Sequence, residues 1–356
     1  MTQDRDIRLA ICESVEAFAS TAAALGIALT PGQLATAARP DPAGLLLHGP
    51  APAGATEWPA PPWHPVHVSL IGAPTIDWAQ FGHDAQAGFA DQMTLRRVLE
   101  RPFNRLFRRR MTLEDFVRGA PDPAPPKGMI FHMSRTGSTL AAQMLGALPD
   151  TLTISELPPV NDALLVAHLK QDAALLRAIL TAYAAKARAL IVHFDAWHAL
   201  MLPAIRAAFP GVPFAFLYRD GAEVMVSHAR LGATDLFSRA MPRVWNIGAV
   251  EDEDELLARA LGRICASAAE NLQDGGLAVD YRELPGAVVT KILPHFGIDA
   301  DAGTRARMMR LAERNPKSGR GFVPDADAKQ REAGERLRRL AAEHIRFPPE
   351  GGLGAP

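Results

Sequence analysis

Two stretches of this chain carry residue types that could hold a small anion. In the first, an apolar run, Met129-Ile-Phe-His-Met133, gives way to Ser134-Arg-Thr-Gly-Ser-Thr139 and then to a helical Leu140-Ala-Ala-Gln-Met-Leu145. Backbone N–H groups at such a helix start, aided by the Ser138 and Thr139 hydroxyls, form a site for phosphate or sulfate. An NTP-binding loop of the GxxxxGK(S/T) type, with its second glycine on Gly137, requires glycine at 132 and lysine at 138. The chain has His132 and Ser138 there, so the lysine that reaches the β and γ phosphates is missing while Arg135 offers a cation from within the turn. In the second stretch, Phe214-Ala-Phe-Leu-Tyr-Arg-Asp-Gly-Ala-Glu-Val-Met-Val-Ser-His228, Arg219 ends a strand-like run and Ser227 follows eight residues later on a helical pattern. An arginine beyond the carboxyl end of a strand, with a hydroxyl two helical turns on, can converge on one phosphate.

The elements that must position these residues follow from apolar spacing. From about Gly128 short apolar runs alternate with helical patterns, which implies strand-helix units and a parallel sheet. Strands are predicted at Met129–Met133, Ala189–Phe194, Pro213–Tyr218 and Leu277–Tyr281, and helices at Ser138–Leu148, Ala173–Lys186, Ala222–Leu231, Asp254–Glu270 and Ala328–His344. Proline clusters at 49–65 and 119–127 mark connections. They set off residues 1–122, read as a mostly helical extension with proline-rich linkers, from a domain over 123–347 and a flexible tail over 348–356. Within the extension, His67–Ile71 reads as a strand and Met93–Arg110 as one basic amphipathic helix with its arginines solvated.

Composition narrows the class. Over 356 residues Lys+Arg number 38 and Asp+Glu 39, so nothing in the balance points to a nucleic-acid or membrane-surface partner. Only two cysteines are present, Cys12 and Cys265, which fits a reducing, cytoplasmic setting and excludes a disulfide scaffold. The opening residues alternate charges where a secretory signal needs an apolar run. The most apolar stretch, 173–192, is interrupted by Arg177, Lys186 and Arg188, so no membrane span is expected. No HExxH, CxxC or DxDxDG pattern is present, and no metal site is expected. Only six of the 38 basic residues are lysines, a lopsidedness of the kind that genomic base composition produces.

The run Ser134–Leu140 resembles the 5′-phosphosulfate loop of the sulfotransferases that use 3′-phosphoadenosine 5′-phosphosulfate (PAPS), in which a basic residue precedes a Ser/Thr-Gly-Thr/Ser-Thr run. Arginine in the basic position is most similar to the tyrosylprotein sulfotransferases and related bacterial enzymes. The second stretch resembles the family's 3′-phosphate motif, an apolar strand ending in arginine with a serine eight residues on. Val279-Asp-Tyr-Arg-Glu-Leu284 resembles its Tyr-Glu-Asp-Leu segment, and 314–322 (RNPKSGRGF) its late basic loop. The resemblance covers roughly Gly128 to His344. It implies a three-layer, P-loop-like α/β fold and a metal-free transfer of a sulfuryl group from PAPS to a hydroxyl acceptor. It further implies nucleotide contacts from Arg135, Thr136, Gly137, Ser138, Thr139, Leu140, Arg219, Ser227, Tyr281, Lys317 and Arg320.

A base for the acceptor hydroxyl is also required. Glu156, 21 residues past Arg135, stands where the tyrosylprotein branch has its base glutamate; the other reading of Glu156 is an acid capping the helix at Pro158. His193, with Asp195, ends a strand where the family often has lysine and where its small-molecule branch places a histidine base. Two further classes stay open: a P-loop kinase or NTPase, against which Ser138 stands, and a non-catalytic nucleotide-binding or scaffolding protein. The acceptor, whether small molecule, glycan or peptide, has no legible code, because loops such as 232–253 decide it.

Overall fold

The computed structural model describes residues 12–39, 51–82, 84, 88–122, 124–184, 189–230, 247, 250, 252–313 and 326–348. The chain forms two compact units, one of Met1–Pro125 with Glu156–Leu190 and the other of Pro126–Ser155 with Ile191–Pro356.

Among the described residues the first unit opens with two helices, Val15–Ala24 and Pro31–Ala38, each started by local chemistry. Ser14 accepts from the Ala17 amide, and Thr30 with Gln33 forms a capping box ahead of a proline at the first helical position. Sheet structure follows: β1 (Ala53–Gly54), β2 (Trp63–Ser69), β3 (Thr75–Gln80), β4 (Phe89–Asp91) and β5 (Arg109–Thr112). Four of these strands make a sheet in the order β1-β5-β3-β2, antiparallel at β5/β3 and β3/β2. The extension is therefore less helical than its sequence implies. Ile76 and Trp78 of β3 are fully buried, and Trp78 meets Trp58 and Phe116 in an aromatic cluster that no local pattern announces.

The single helix expected over 93–110 is two, Gln92–Glu100 and Pro102–Leu106, followed by β5. Arg101 between them is extended (φ −64°, ψ 138°), as a residue before proline must be. Its guanidinium is buried and donates to the Phe81 carbonyl at 2.9 Å and to Asp84 at 2.5 Å, so this arginine is internal rather than solvated. The helices Pro158–Lys170 and Ala174–Ala184 pack against each other and against β2, which is why Glu156–Leu190 groups with this unit. Tyr183 donates its hydroxyl to the Pro65 carbonyl at 2.5 Å and stacks on His64.

The second unit is α/β, as its alternating pattern implies. Its strands β6 (Gly128–His132), β7 (Thr151–Ser155), β8 (Ala189–His193), β9 (Phe214–Tyr218) and β10 (Gly276–Asp280) lie in the order β10-β9-β6-β8-β7. The β10/β9, β9/β6 and β6/β8 pairs are parallel. Four strands fall within two residues of their expected bounds; β7 is not predicted, because three of the five residues in Thr151-Leu-Thr-Ile-Ser155 are polar and no apolar run marks it. On one face Ile130, Ala215, Leu217 and Val279 pack with Leu140 and Met144 of the helix Ser138–Leu145 and Met308 of the helix Ala302–Ala312. The opposite face presents Phe131, Phe214 and Phe216, which meet Phe194 and Phe347. The helix expected over 328–344 is divided into Ala326–Glu332 and Glu335–His344, the second starting at Gly334. No helix among the described residues is long and apolar enough to cross a membrane.

Gly262, inside the helix Glu253–Asn271, lies where a Cβ would run into the carbonyl oxygen of His344. Because that obstacle is backbone, Gly262→Ala should lower unfolding free energy by about 1–3 kcal/mol, measured by urea titration.

Candidate functional site

Strand order sets the location. The chain runs from β6 to β7 and β8 on one side of it and then crosses to β9 and β10 on the other, so the winding changes direction at β6. A crevice opens outside the carboxyl end of the strand at such a switch point, where α/β sheets take their ligands. The residues that follow β6 there are Met133 and the turn Ser134–Gly137.

That turn is wound left-handed at three of its four positions: Ser134 (φ 76°), Arg135 (φ 54°) and Gly137 (φ 75°). Two are not glycine, and each such residue costs roughly 1–2 kcal/mol of steric strain. Successive turn residues of this kind bring consecutive N–H groups to one concavity suited to an anion. Gly137 is also the N-cap of the helix Ser138–Leu145, and no side chain caps that helix. Its first amides therefore keep the partial positive charge of an uncapped helix start. Thr136 is fully buried, and its Oγ1 has no hydrogen-bond partner among the described residues. Ser138 is buried and Thr139 half-buried. The Leu140 side chain sits in the apolar core, so its backbone is the part that can serve a ligand.

The structure brings the two sequence motifs into contact. Arg135 Nε donates to Ser227 Oγ at 2.9 Å, although 92 residues separate them. Ser134 Oγ lies 3.0 Å from His228 Nε2, and the Ser134 amide donates to His132 Nδ1 at 3.0 Å, so the turn is bonded on both sides. Arg219 follows β9 directly and is buried. Its amide donates to Met133 Sδ at 3.3 Å and its Nη1 to the Arg135 carbonyl at 3.5 Å. Its guanidinium lies over the Tyr281 ring, 4.0 Å from the centroid. Tyr281 in turn flanks Gly137, where a Cβ would come within 3.5 Å of the ring. Ser227, read from spacing as sharing a phosphate with Arg219, is thus bonded to Arg135.

Glu223 joins these residues. This carboxylate is fully buried and accepts from Arg219 Nε at 2.6 Å, while its amide is capped by Asp220. An Arg and Glu four residues apart across a helix start is the signal that marks it. At the end of β9, burial, with Asp280 and Glu283 nearby, pushes the Tyr218 phenol up and keeps it protonated at neutral pH.

His193 ends β8, almost wholly buried, with Nδ1 2.8 Å from Ser155 Oγ and its ring stacked on His132 at 5.0 Å. Asp195 serves the following short helix, Ala196–Met201, accepting from the Ala196 amide at 2.6 Å. Glu156 follows Ser155 in the chain with a left-handed φ of 51°, and its carbonyl accepts from Gln92 Nε2 at 3.1 Å. The helix after it has Leu157 at its N-cap, with no side-chain cap bond from that residue. Lys317 and Arg320, and most of the 232–253 loop, lie outside the described residues. Burial pushes the Cys265 thiol up to about 12, which leaves it inert.

No protein-family model matches the chain. No curated protein matches it. Among solved structures, sulfotransferase STF9 from Mycobacterium avium is similar at a TM-score of 0.43 and 15% identity over 66% of this chain and 79% of that one. A sulfotransferase domain from the curacin biosynthetic pathway is similar at 0.38 and 14% over 66% and 94%. Mouse sulfotransferase SULT7A1, complexed with PAP, is similar at 0.37 and 13% over 65% and 92%. Likeness of this degree assigns neither a branch nor a ligand.

At Gly137 a side chain would be strained by the positive φ and would press on Leu284 Cδ1 at 3.0 Å. Gly137→Ala should therefore cost about 1–2 kcal/mol in chemical denaturation. Gly211→Ala, at a positive φ with open space around it, reports the backbone share of that cost.

Proposed function

We propose that the protein is a sulfotransferase that moves a sulfuryl group from PAPS to a hydroxyl acceptor. The observation that carries the reading is the bond between Arg135 and Ser227, by which two anion-binding motifs distant in sequence meet at the carboxyl ends of adjacent strands. In this reading the Ser134–Thr139 turn, the amide of Leu140 and Arg135 hold the 5′-phosphosulfate. Arg219 and Ser227 hold the 3′-phosphate, Tyr281 backs Arg219, and Lys317 and Arg320 close over the nucleotide. The working domain is residues 123–347, with 1–122 as an extension and 348–356 as a tail. The protein acts in the cytoplasm on a small molecule, glycan or peptide, with neither nucleic acid nor membrane as partner.

The reaction breaks the bond between sulfur and the bridging phosphate oxygen as a bond forms between sulfur and the acceptor oxygen, in line and through a loose transition state. Charge that develops on the departing 5′-phosphate is met by Arg135 and the turn amides, groups that need no reorganisation because the fold already holds them. No metal is required. Glu156 takes the acceptor proton, in support of which stands its place directly after Ser155, whose hydroxyl is bonded to His193. His193, stacked on His132, adds a polar neighbour at the end of β8.

Isothermal titration of the full chain should show 3′-phosphoadenosine 5′-phosphate bound at least about tenfold more tightly than ATP or AMP; equal affinities would sink the reading. With sulfur-labelled PAPS and a panel of hydroxyl acceptors, Arg135→Ala should lose turnover by about a hundredfold or more. Glu156→Gln should lose transfer by about 10²–10⁴-fold while keeping nucleotide affinity. A fully active Glu156→Gln enzyme would place the base elsewhere.

A further inference from the structure

Glu223 has no part in the reading above, yet it is the most completely buried charged group beside Arg219. Acidic side chains are almost never fully buried unless paired, so its environment has to supply donors. Three are present. Arg219 Nε donates to Oε2 at 2.6 Å, Gln330 Nε2 donates to Oε1 at 3.0 Å, and Arg282 Nη2 approaches Oε1 at 3.5 Å. The two oxygens are thus divided: one holds Arg219, the other holds groups from elsewhere in the unit.

The division matters for what Arg219 can do. An arginine on a strand end has many rotamers, and fixing one during binding costs affinity. Here the Nε side of the guanidinium is committed to Glu223 and one face to Tyr281, which turns the Nη side toward the Arg135 carbonyl. Gln330 belongs to the helix Ala326–Glu332, which is also tied to the end of the helix Gly221–Ala229 by an ion pair, Arg230 to Glu332. The orientation of Arg219 is therefore set by a carboxylate whose other oxygen is anchored on that distant helix.

We propose that Glu223, braced by Gln330, is a positioning residue for Arg219, holding it ready for the 3′-phosphate of the nucleotide. The inference rests on the reading that Arg219 meets that phosphate. It makes affinity for a 3′-phosphorylated nucleotide depend on Glu223 and on Gln330, neither of which touches the ligand, and it leaves the 5′ side of the site unaffected.

The test titrates the full chain with 3′-phosphoadenosine 5′-phosphate and with AMP, which lacks the 3′-phosphate. Glu223→Gln, folded by circular dichroism, should weaken the first by about tenfold and change AMP by less than about twofold. Its KM for PAPS should rise by a similar factor with kcat little altered. In a double-mutant cycle, adding Glu223→Gln to Arg219→Ala should cause no further loss, because the residue that Glu223 positions is already gone. Gln330→Ala, at a half-buried site, should weaken the 3′-phosphorylated nucleotide by about threefold and spare AMP. If Glu223→Gln does not fold, the Gln330→Ala result decides. Unchanged affinity, equal loss for both nucleotides, or additive losses in the cycle would overturn the proposal. A wild-type protein with no preference for the 3′-phosphate would instead overturn the reading beneath it, and the proposal with it.

Discussion

Parallel pairing of β6 with β9 is the interaction on which the rest of the second unit depends. It sets Ile130 beside Ala215 and His132 beside Leu217, so the turns after the two strands begin side by side. The ladder is extended by one bond past the strand end, from the Met133 amide to the Leu217 carbonyl at 3.1 Å, which fixes where the Ser134–Gly137 turn starts. From that point the side-chain bonds of the turn follow: Arg135 reaches Ser227, Ser134 reaches His228, and Arg219 comes under the Arg135 carbonyl. A slip of one residue in this register would move Ile130 out of the apolar cluster and separate every one of these pairs.

Charge in the crevice is arranged differently from what a count of arginines implies. Arg219 is matched by Glu223 within the protein, a pair with both side chains shut off from water. Such a pair adds little to stability, since desolvation offsets attraction, but it holds a geometry well. Arg135 donates to the Ser227 hydroxyl. The uncapped start of the helix Ser138–Leu145 adds the partial positive charge of its first amides beside it.

Much of this was legible in the chain. The strands β6, β8, β9 and β10 are apolar runs bounded by turn residues, and the pattern of Ser134–Thr139 marked the strand-to-helix turn because a glycine was needed at the left-handed N-cap. Local patterns could not show that Ser134 and Arg135 are left-handed too, since nothing in serine or arginine encodes positive φ; neighbouring bonds impose it. Nor could they show which group Ser227 bonds, because spacing on a helix gives direction and not partner. In the first unit the same limit is plainer. Arginines at helical spacing over 93–110 read as a solvated face, yet Pro102 breaks the helix and Arg101 turns inward to Asp84. The four-stranded sheet there depends on Trp58, Trp78 and Phe116, which find one another only in the folded chain.

The β6/β9 pairing also has a consequence in time. Ile130 and its partner Ala215 are about 85 residues apart, so a chain made from its amino end exposes β6 well before β9 exists. At roughly 5–20 residues per second that interval is on the order of 4–17 s. Throughout it, Gly128–His132, a strand buried at every position in the finished sheet, is an apolar segment lacking one of its two neighbours. Synthesis of this protein therefore passes through a stage in which the turn after β6 is tethered to an apolar strand whose β9 edge is open, and chaperone occupancy there would fall as residues 214–218 emerge.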